Sequence, residues 1–291
     1  MKIRSLQNMR LTIVIFGFLM IILFTAFLVS QETEEEYEEI DSAACVECHE
    51  EGKHQTRIEE DLSHSIHEGL ECLDCHTDKA TLPHKLLSGF SVSCQGCVSC
   101  HEDSAKAYKF HGRMSVDECV DIPTCARCHG DHDVLPSDVK LSRTHPSNVP
   151  ATCAQCHEDI NLTQKYQILI DHPIEVYRNS VHGLATQAGI DVAATCNDCH
   201  SSGGSAHSIL APGDPESTIN HFNIPKTCGK CHEGAENEFW EGIHGQLVAR
   251  GETDSPVCTT CHGEHGIISP SDPRSPVSKI RLAEATCSPC H

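Results

Sequence analysis

Cys125-Ala126-Arg127-Cys128-His129-Gly130-Asp131-His132 and Cys258-Thr259-Thr260-Cys261-His262-Gly263-Glu264-His265 are two copies of one stretch, and the whole chain is organised around its first five residues. That core, Cys-x-x-Cys-His, occurs nine times and takes up 18 of the 20 cysteines. The copies are Cys45/Cys48/His49, Cys72/Cys75/His76, Cys97/Cys100/His101, Cys125/Cys128/His129 and Cys153/Cys156/His157. The remaining four are Cys196/Cys199/His200, Cys228/Cys231/His232, Cys258/Cys261/His262 and Cys287/Cys290/His291. Around them the composition is unusual. The 291 residues contain 22 histidines but one Trp, and aromatic residues make up only 4%. Cysteine at this density with so few large apolar side chains excludes an ordinary cytosolic enzyme built on a large apolar core. A formal charge of -21 excludes nucleic acid as a partner, because the phosphates would repel it.

The spacing has a chemical reason. Two thiols three apart on one turn of chain can add to the two vinyl groups of one porphyrin, and the next residue places its imidazole under the iron. Cys-x-x-Cys-His is the attachment signature of c-type haem. Zinc sites and disulfides also use paired cysteines, but neither needs a histidine directly after the second one. With 22 histidines in 291 residues, nine such placements by chance have a probability on the order of 10⁻¹⁰.

From Cys45 to His291 the chain thereby resembles the multihaem c-type cytochrome family, of the kind built from two-haem repeats. The resemblance implies nine covalent haems, an exported location and electron transfer through closely packed porphyrins. The 18 motif cysteines would hold the cofactors and the nine motif histidines would be the proximal ligands. About 27 residues per motif leave no room for a conventional core, so porphyrin is expected to form it. Each haem also brings two propionates, which makes the holoprotein more acidic still.

The motifs pair into repeats. A histidine followed by Gly or Glu leads into Cys-x-x-Cys-His, a further histidine follows soon after, and a second motif closes the unit. The units run over residues 67–101, 111–157, 182–232 and 244–291, with the Cys45 motif as an extra. In the last three the leading histidine stands fourteen residues before the first cysteine. His67, His111, His182 and His244 lead the units; His84, His132, His207 and His265 follow the first motif of each. These eight are the expected distal ligands, and the ninth is expected among His54, His64, His145, His172 and His221. Which histidine serves which iron is left open. Met114 is the only methionine after residue 20, so at most one haem can be His/Met ligated and bis-His, low-potential haems should dominate. Cys94 and Cys119 are left over. In an oxidising compartment they could close a loop of about 25 residues, worth about 3 kcal/mol, with free thiols as the alternative.

Upstream, Lys2, Arg4 and Arg10 precede an uncharged run from Leu11 to Val29, long enough to cross a bilayer as one helix with its N-terminus inside. Residues 1–30 are read as a retained anchor; a cleaved signal peptide is the competing reading. Both export the remainder. Residues 31–44 form an acidic linker. The expected fold for residues 45–291 is a mainly irregular, elongated, haem-packed domain with short α-helices over 102–110, 160–180 and 233–243. The Pro-rich stretches 136–150, 212–225 and 270–276 should be extended loops.

These readings point to an electron carrier of anaerobic respiration, extracytoplasmic and anchored to the cytoplasmic membrane, not to an enzyme. Its donor would be a quinol-oxidising membrane protein such as a cytochrome b, and its acceptors periplasmic or extracellular redox proteins. Two alternatives stand beside it. One is a reductase of nitrite, hydroxylamine or a sulfur oxyanion, which needs an iron with an open position. The other is a self-assembling filament of stacked haems.

Overall fold

The computed structural model describes residues 42–49, 58–76, 94–108, 124–165, 168, 172–203 and 206–291. All of them belong to one compact unit, Asp41–Asp78 with Leu86–His291. Among the described residues the backbone consists of short helices joined by turns, without strands; a single bridge joins Ser201 and Ile209. None of these helices is long and apolar enough to cross a membrane. The run Leu11–Val29 and the acidic linker up to Asp41 lie outside the described residues, as do Cys119 and the side chains of Cys48 and Cys94.

Four of the described helices are single turns started by the motif itself: Cys72–Cys75, Cys125–His129, Cys196–His200 and Cys258–His262. Residues three apart on a helical turn share a face, so each such turn presents its two thiols together. Two other motifs end a longer helix instead of starting one, Ser42–His49 and Val149–His157. Carboxylates inside the motif tighten the turn. Asp198 accepts from the Thr195 N–H at 2.7 Å and Asp74 from the Glu71 N–H at 2.8 Å. These are N-terminal caps.

The region 160–180 divides into helices Ile160–Lys165 and Pro173–Arg178, since Pro173 cannot continue a helix arriving from upstream. All three Pro-rich stretches also differ from extended loops, because they run through successive turns. The first two then open helices Val149–His157 and Ile224–Gly229, with Pro150 and Pro225 in the first turn, where proline is tolerated.

These turn segments are held by a polar bracket that recurs after His132, His207 and His265. Ten residues on from each stands a buried serine, Ser142, Ser217 or Ser275, whose hydroxyl donates to the carbonyl of Leu135, Leu210 or Ile268. The threonine before the next motif closes the bracket: Thr152 donates to Arg143 O, Thr227 to Thr218 O and Thr286 to Pro276 O. In the last copy the serine and threonine are one residue further apart. The surplus is absorbed as a π-helical turn, Leu282–Cys287. Ser217 is fully buried and also accepts from the Ile219 N–H. Ser217→Ala is therefore expected to destabilise by about 1–3 kcal/mol in chemical denaturation, against less than about 0.5 kcal/mol for the exposed Ser271→Ala.

The buried apolar side chains among the described residues are Val134, Ile174, Tyr177, Leu210, Val248 and Val257; buried Ser, Thr and His outnumber them. The motif thiols and most of the motif imidazoles lie half-buried between the helices, with Cys100, Cys231, Cys287, Cys290, His101, His232 and His291 exposed.

Candidate functional site

Six pairs of imidazole rings face one another across nearly equal gaps. His67 lies 6.1 Å from His101, His76 6.3 Å from His132, and His129 5.9 Å from His207, centroid to centroid. His182 lies 6.1 Å from His232, His200 6.0 Å from His265 and His244 6.0 Å from His291. Direct ring packing covers 4.5–7 Å, so the distance alone does not discriminate. The choice of partners does: every described histidine–histidine pair joins one motif histidine to one outside the motifs.

The gap also fits a metal between the rings. Two metal–nitrogen bonds of about 2.0–2.1 Å, with about 1 Å of ring behind each nitrogen, give about 6 Å. The two facing imidazoles and the two thiols beside one of them are the residues that would hold a macrocyclic metal cofactor. Among the described residues no three or more His, Cys, Asp or Glu converge as a bare-ion site. The donor set thus fits haem better than tetrahedral zinc.

The pairs follow a register that spacing alone did not reveal. Each described leading histidine faces the second motif of its own unit: His67 to His101, His182 to His232, His244 to His291. Each described histidine that follows a first motif faces the first motif of the preceding unit: His132 to His76, His207 to His129, His265 to His200. Backbone bonds lock these joints. Ile66, just before the leading His67, donates its N–H to Val134 O at 2.9 Å; Val181, just before His182, donates to Ile267 O at 2.8 Å.

The first motif is placed only in part. Cys45 and His49 are half-buried on helix Ser42–His49, whereas the Cys48 side chain lies outside the described residues. The six pairs use motif histidines other than His49. Attachment by Cys48 and the proximal role of His49 therefore rest on the Cys-x-x-Cys-His spacing, without the ring geometry that supports the other assignments.

Glycine serves the register at two kinds of position. After the leading histidine, a Cβ on Gly183 or Gly245 would run into the carbonyl of Tyr177 or Phe239, so only glycine lets helices 181–187 and 243–249 close on the helices before them. After the motif, Gly130 (φ 94°) and Gly263 (φ 79°) turn the chain through the left-handed region and swing His132 and His265 outward.

Consecutive motifs also abut through their sulfurs. The thiols of Cys97 and Cys125, Cys153 and Cys196, and Cys228 and Cys258 are hydrogen-bonded, and none is in a disulfide. Sharing the proton raises Cys97 and lowers Cys125 to about 6. Within units, Cys75 neighbours Cys100, Cys128 neighbours Cys156, Cys199 neighbours Cys231, and Cys261 neighbours Cys290. Cys72 donates its N–H to Ser42 Oγ at 2.9 Å, which ties the helix of Cys45 and His49 to the Cys72 motif. Motif follows motif in space in the same order as in the chain.

For seven of the imidazoles burial favours the neutral form, the one that ligates metals. It pushes His200 down to about 4, with His265 and His157 adding to the effect, and lowers His129, His157, His182, His207, His262 and His265.

Of the spare histidines, His64 is exposed with Nδ1 2.8 Å from Glu60 O. His145 is buried and its Nδ1 accepts from Ser147, a turn-building role. His172 is exposed at a left-handed φ of 49° before Pro173. His221 packs edge-on against Phe222 with a buried ring Nε2 that has no hydrogen bond. His54, His84 and His111 lie outside the described residues.

Sequence reasoning missed the bracket residues Ser142, Ser217 and Ser275; their constant ten-residue offset from His132, His207 and His265 was the available signal. No family model, curated protein or solved structure matches this chain.

Proposed function

We propose that the chain is a multihaem c-type cytochrome that carries electrons along nine covalently held haems, one per Cys-x-x-Cys-His. Carrying most weight are the six imidazole pairs, each joining a motif histidine to a non-motif one across 5.9–6.3 Å. When bound, the group supplies one-electron redox chemistry at an iron with two imidazole ligands. The chain does the rest. Thiols would anchor each macrocycle, burial favours the unprotonated form of His129, His182, His200, His207 and His265, and glycine turns aim His132 and His265. Abutting thiols of consecutive motifs bring the attachment edges together, which supports a continuous path in chain order. By the same register His111 is the ligand assigned to the haem of His157. Cys45, Cys48 and His49 hold the ninth haem at the head of that path.

Residues 11–29 as a membrane anchor, an extracytoplasmic location, a quinol-linked donor such as a membrane cytochrome b, and periplasmic or extracellular redox partners complete this reading. Second histidines plentiful enough to close every iron favour a carrier over a reductase, which needs an open position. Intact mass tests the count directly. The mature protein should exceed its polypeptide mass by nine haems, and Cys196→Ala/Cys199→Ala should lower the count by one. Eight or fewer in the unmodified protein would refute the assignment.

A further inference from the structure

In each unit the second cysteines of the two motifs are neighbours, so the residue directly before each of them stands at the junction between the two motifs. The backbone closes these junctions tightly. In the first unit Gly96 lies against the Cys75 carbonyl, where a Cβ would collide with it. In the second, helix Cys125–His129 packs on helix Val149–His157. In the third, the Lys230 Nζ donates to the Asp198 carbonyl oxygen at 3.3 Å, from one motif across to the other.

The junctions differ in charge. The first unit has Asp74, the second Arg127, and the third both Asp198 and Lys230, all four exposed. The other residues that precede a second cysteine in the four units, Ser99, Gln155, Thr260 and Pro289, are uncharged. Both carboxylates are pinned. Asp74 Oδ2 accepts from the Glu71 N–H at 2.8 Å, and Asp198 Oδ2 accepts from the N–H and the hydroxyl of Thr195 at 2.7 and 2.8 Å. The reach of all four charges shows at the sulfurs. Burial raises the Cys75, Cys156 and Cys199 thiols; Asp74 pushes Cys75 up further and Asp198 does the same to Cys199, whereas Arg127 pulls Cys156 down and Lys230 pulls Cys199 down. Arg127 and Lys230 thus act on the sulfur of the other motif in their unit. Thioether formation ends the titration of the sulfurs and leaves the charges in place.

We propose, resting on the haem assignment above, that these four residues tune the haem potentials of their units: Arg127 raises both haems of the second unit, Asp74 lowers both of the first, and Asp198 and Lys230 oppose one another in the third. Ferric iron carries one more positive charge than ferrous iron, so a neighbouring cation favours the reduced form and a carboxylate the oxidised one. An electron delivered to the first unit is thereby drawn on to the second, and its return is opposed. For charges as exposed as these the reduction equilibrium should change about threefold, which at about 59 mV per decade for one electron is about 30 mV.

The test is an optical redox titration, with dithionite as reductant, of holoprotein already shown by mass to carry nine haems. Arg127→Gln should move two ninths of the haem absorbance change to lower potential, and Asp74→Asn two ninths to higher potential; asparagine keeps the capping oxygen. In the third unit Asp198→Asn and Lys230→Gln should shift the same share in opposite directions. Lys140→Gln removes a charge from an exposed turn outside the motifs and should shift the titration far less. The screening length falls from about 30 Å at about 0.01 M salt to about 3 Å at about 1 M, so the four shifts should shrink at high salt.

Shifts no larger than that of Lys140→Gln, or Asp198→Asn and Lys230→Gln moving the same way, would overturn the proposal. Shifts that keep their full size at high salt would overturn it too, because the substitutions would then act by disturbing the packing. A mass short of nine haems would instead fail the haem assignment itself.

Discussion

Produced without haem attachment, the polypeptide is expected to remain unfolded, with no cooperative thermal or denaturant transition and full susceptibility to protease. Six buried apolar side chains among the described residues are too few to offset the ordering of a chain this long. Removing the cofactor would also leave the half-buried His200 ring and the Cys153 and Cys196 thiols without the group they would hold. Circular dichroism and limited proteolysis of protein made with and without the attachment machinery check this. A folded apoprotein would mean that the motifs close some other way, and would count heavily against porphyrin as the core.

The second large effect is local. His265→Ala should convert the haem of Cys196/Cys199/His200 from low-spin to high-spin, one of nine, because His265 is the ring that faces His200, nearly parallel at 5°. The substitution lies in the fourth unit and the change appears in the third. His145→Ala should leave all nine spin states unchanged, since the His145 Nδ1 is committed to Ser147. His265→Met should keep that haem low-spin while raising its midpoint potential, as thioether ligation does. Redox titration followed by electron paramagnetic resonance reads all three variants. High-spin signal at a haem of the fourth unit after His265→Ala would break the register described above.

Much of this was legible in the chain. Cysteine spacing locates the motif helices, because a turn that offers two thiols needs only four residues, with a capping carboxylate of its own at Asp74 and Asp198. The repeats were legible through His-Gly, and the packing gives the reason: the Cβ missing at Gly183 and Gly245 is what lets paired helices close. The partner of each imidazole was not legible. His132 stands three residues from His129 and faces His76 instead, a choice made by a left-handed glycine and by a hydrogen bond from Ile66, 68 residues from its acceptor Val134. Such joints depend on how turns stack, which a periodicity does not encode. The Pro-rich stretches misled for a similar reason. Pro150 and Pro225 read as breakers, yet at the first turn of a helix they are starters, and only the serine bracket behind them shows which role holds.

The exchange of histidines between neighbours has a consequence for how such a chain can be cut or lengthened. The segment that was duplicated and the segment that is chemically whole are out of phase by one imidazole. On the proposed haem assignment, a nick between residues 232 and 244 would leave each fragment with its motifs intact but separate His265 from His200, so damage at a boundary would be felt upstream of it. An inserted unit, conversely, would complete the unit before it and depend on the unit after it, which makes the order of the units directional.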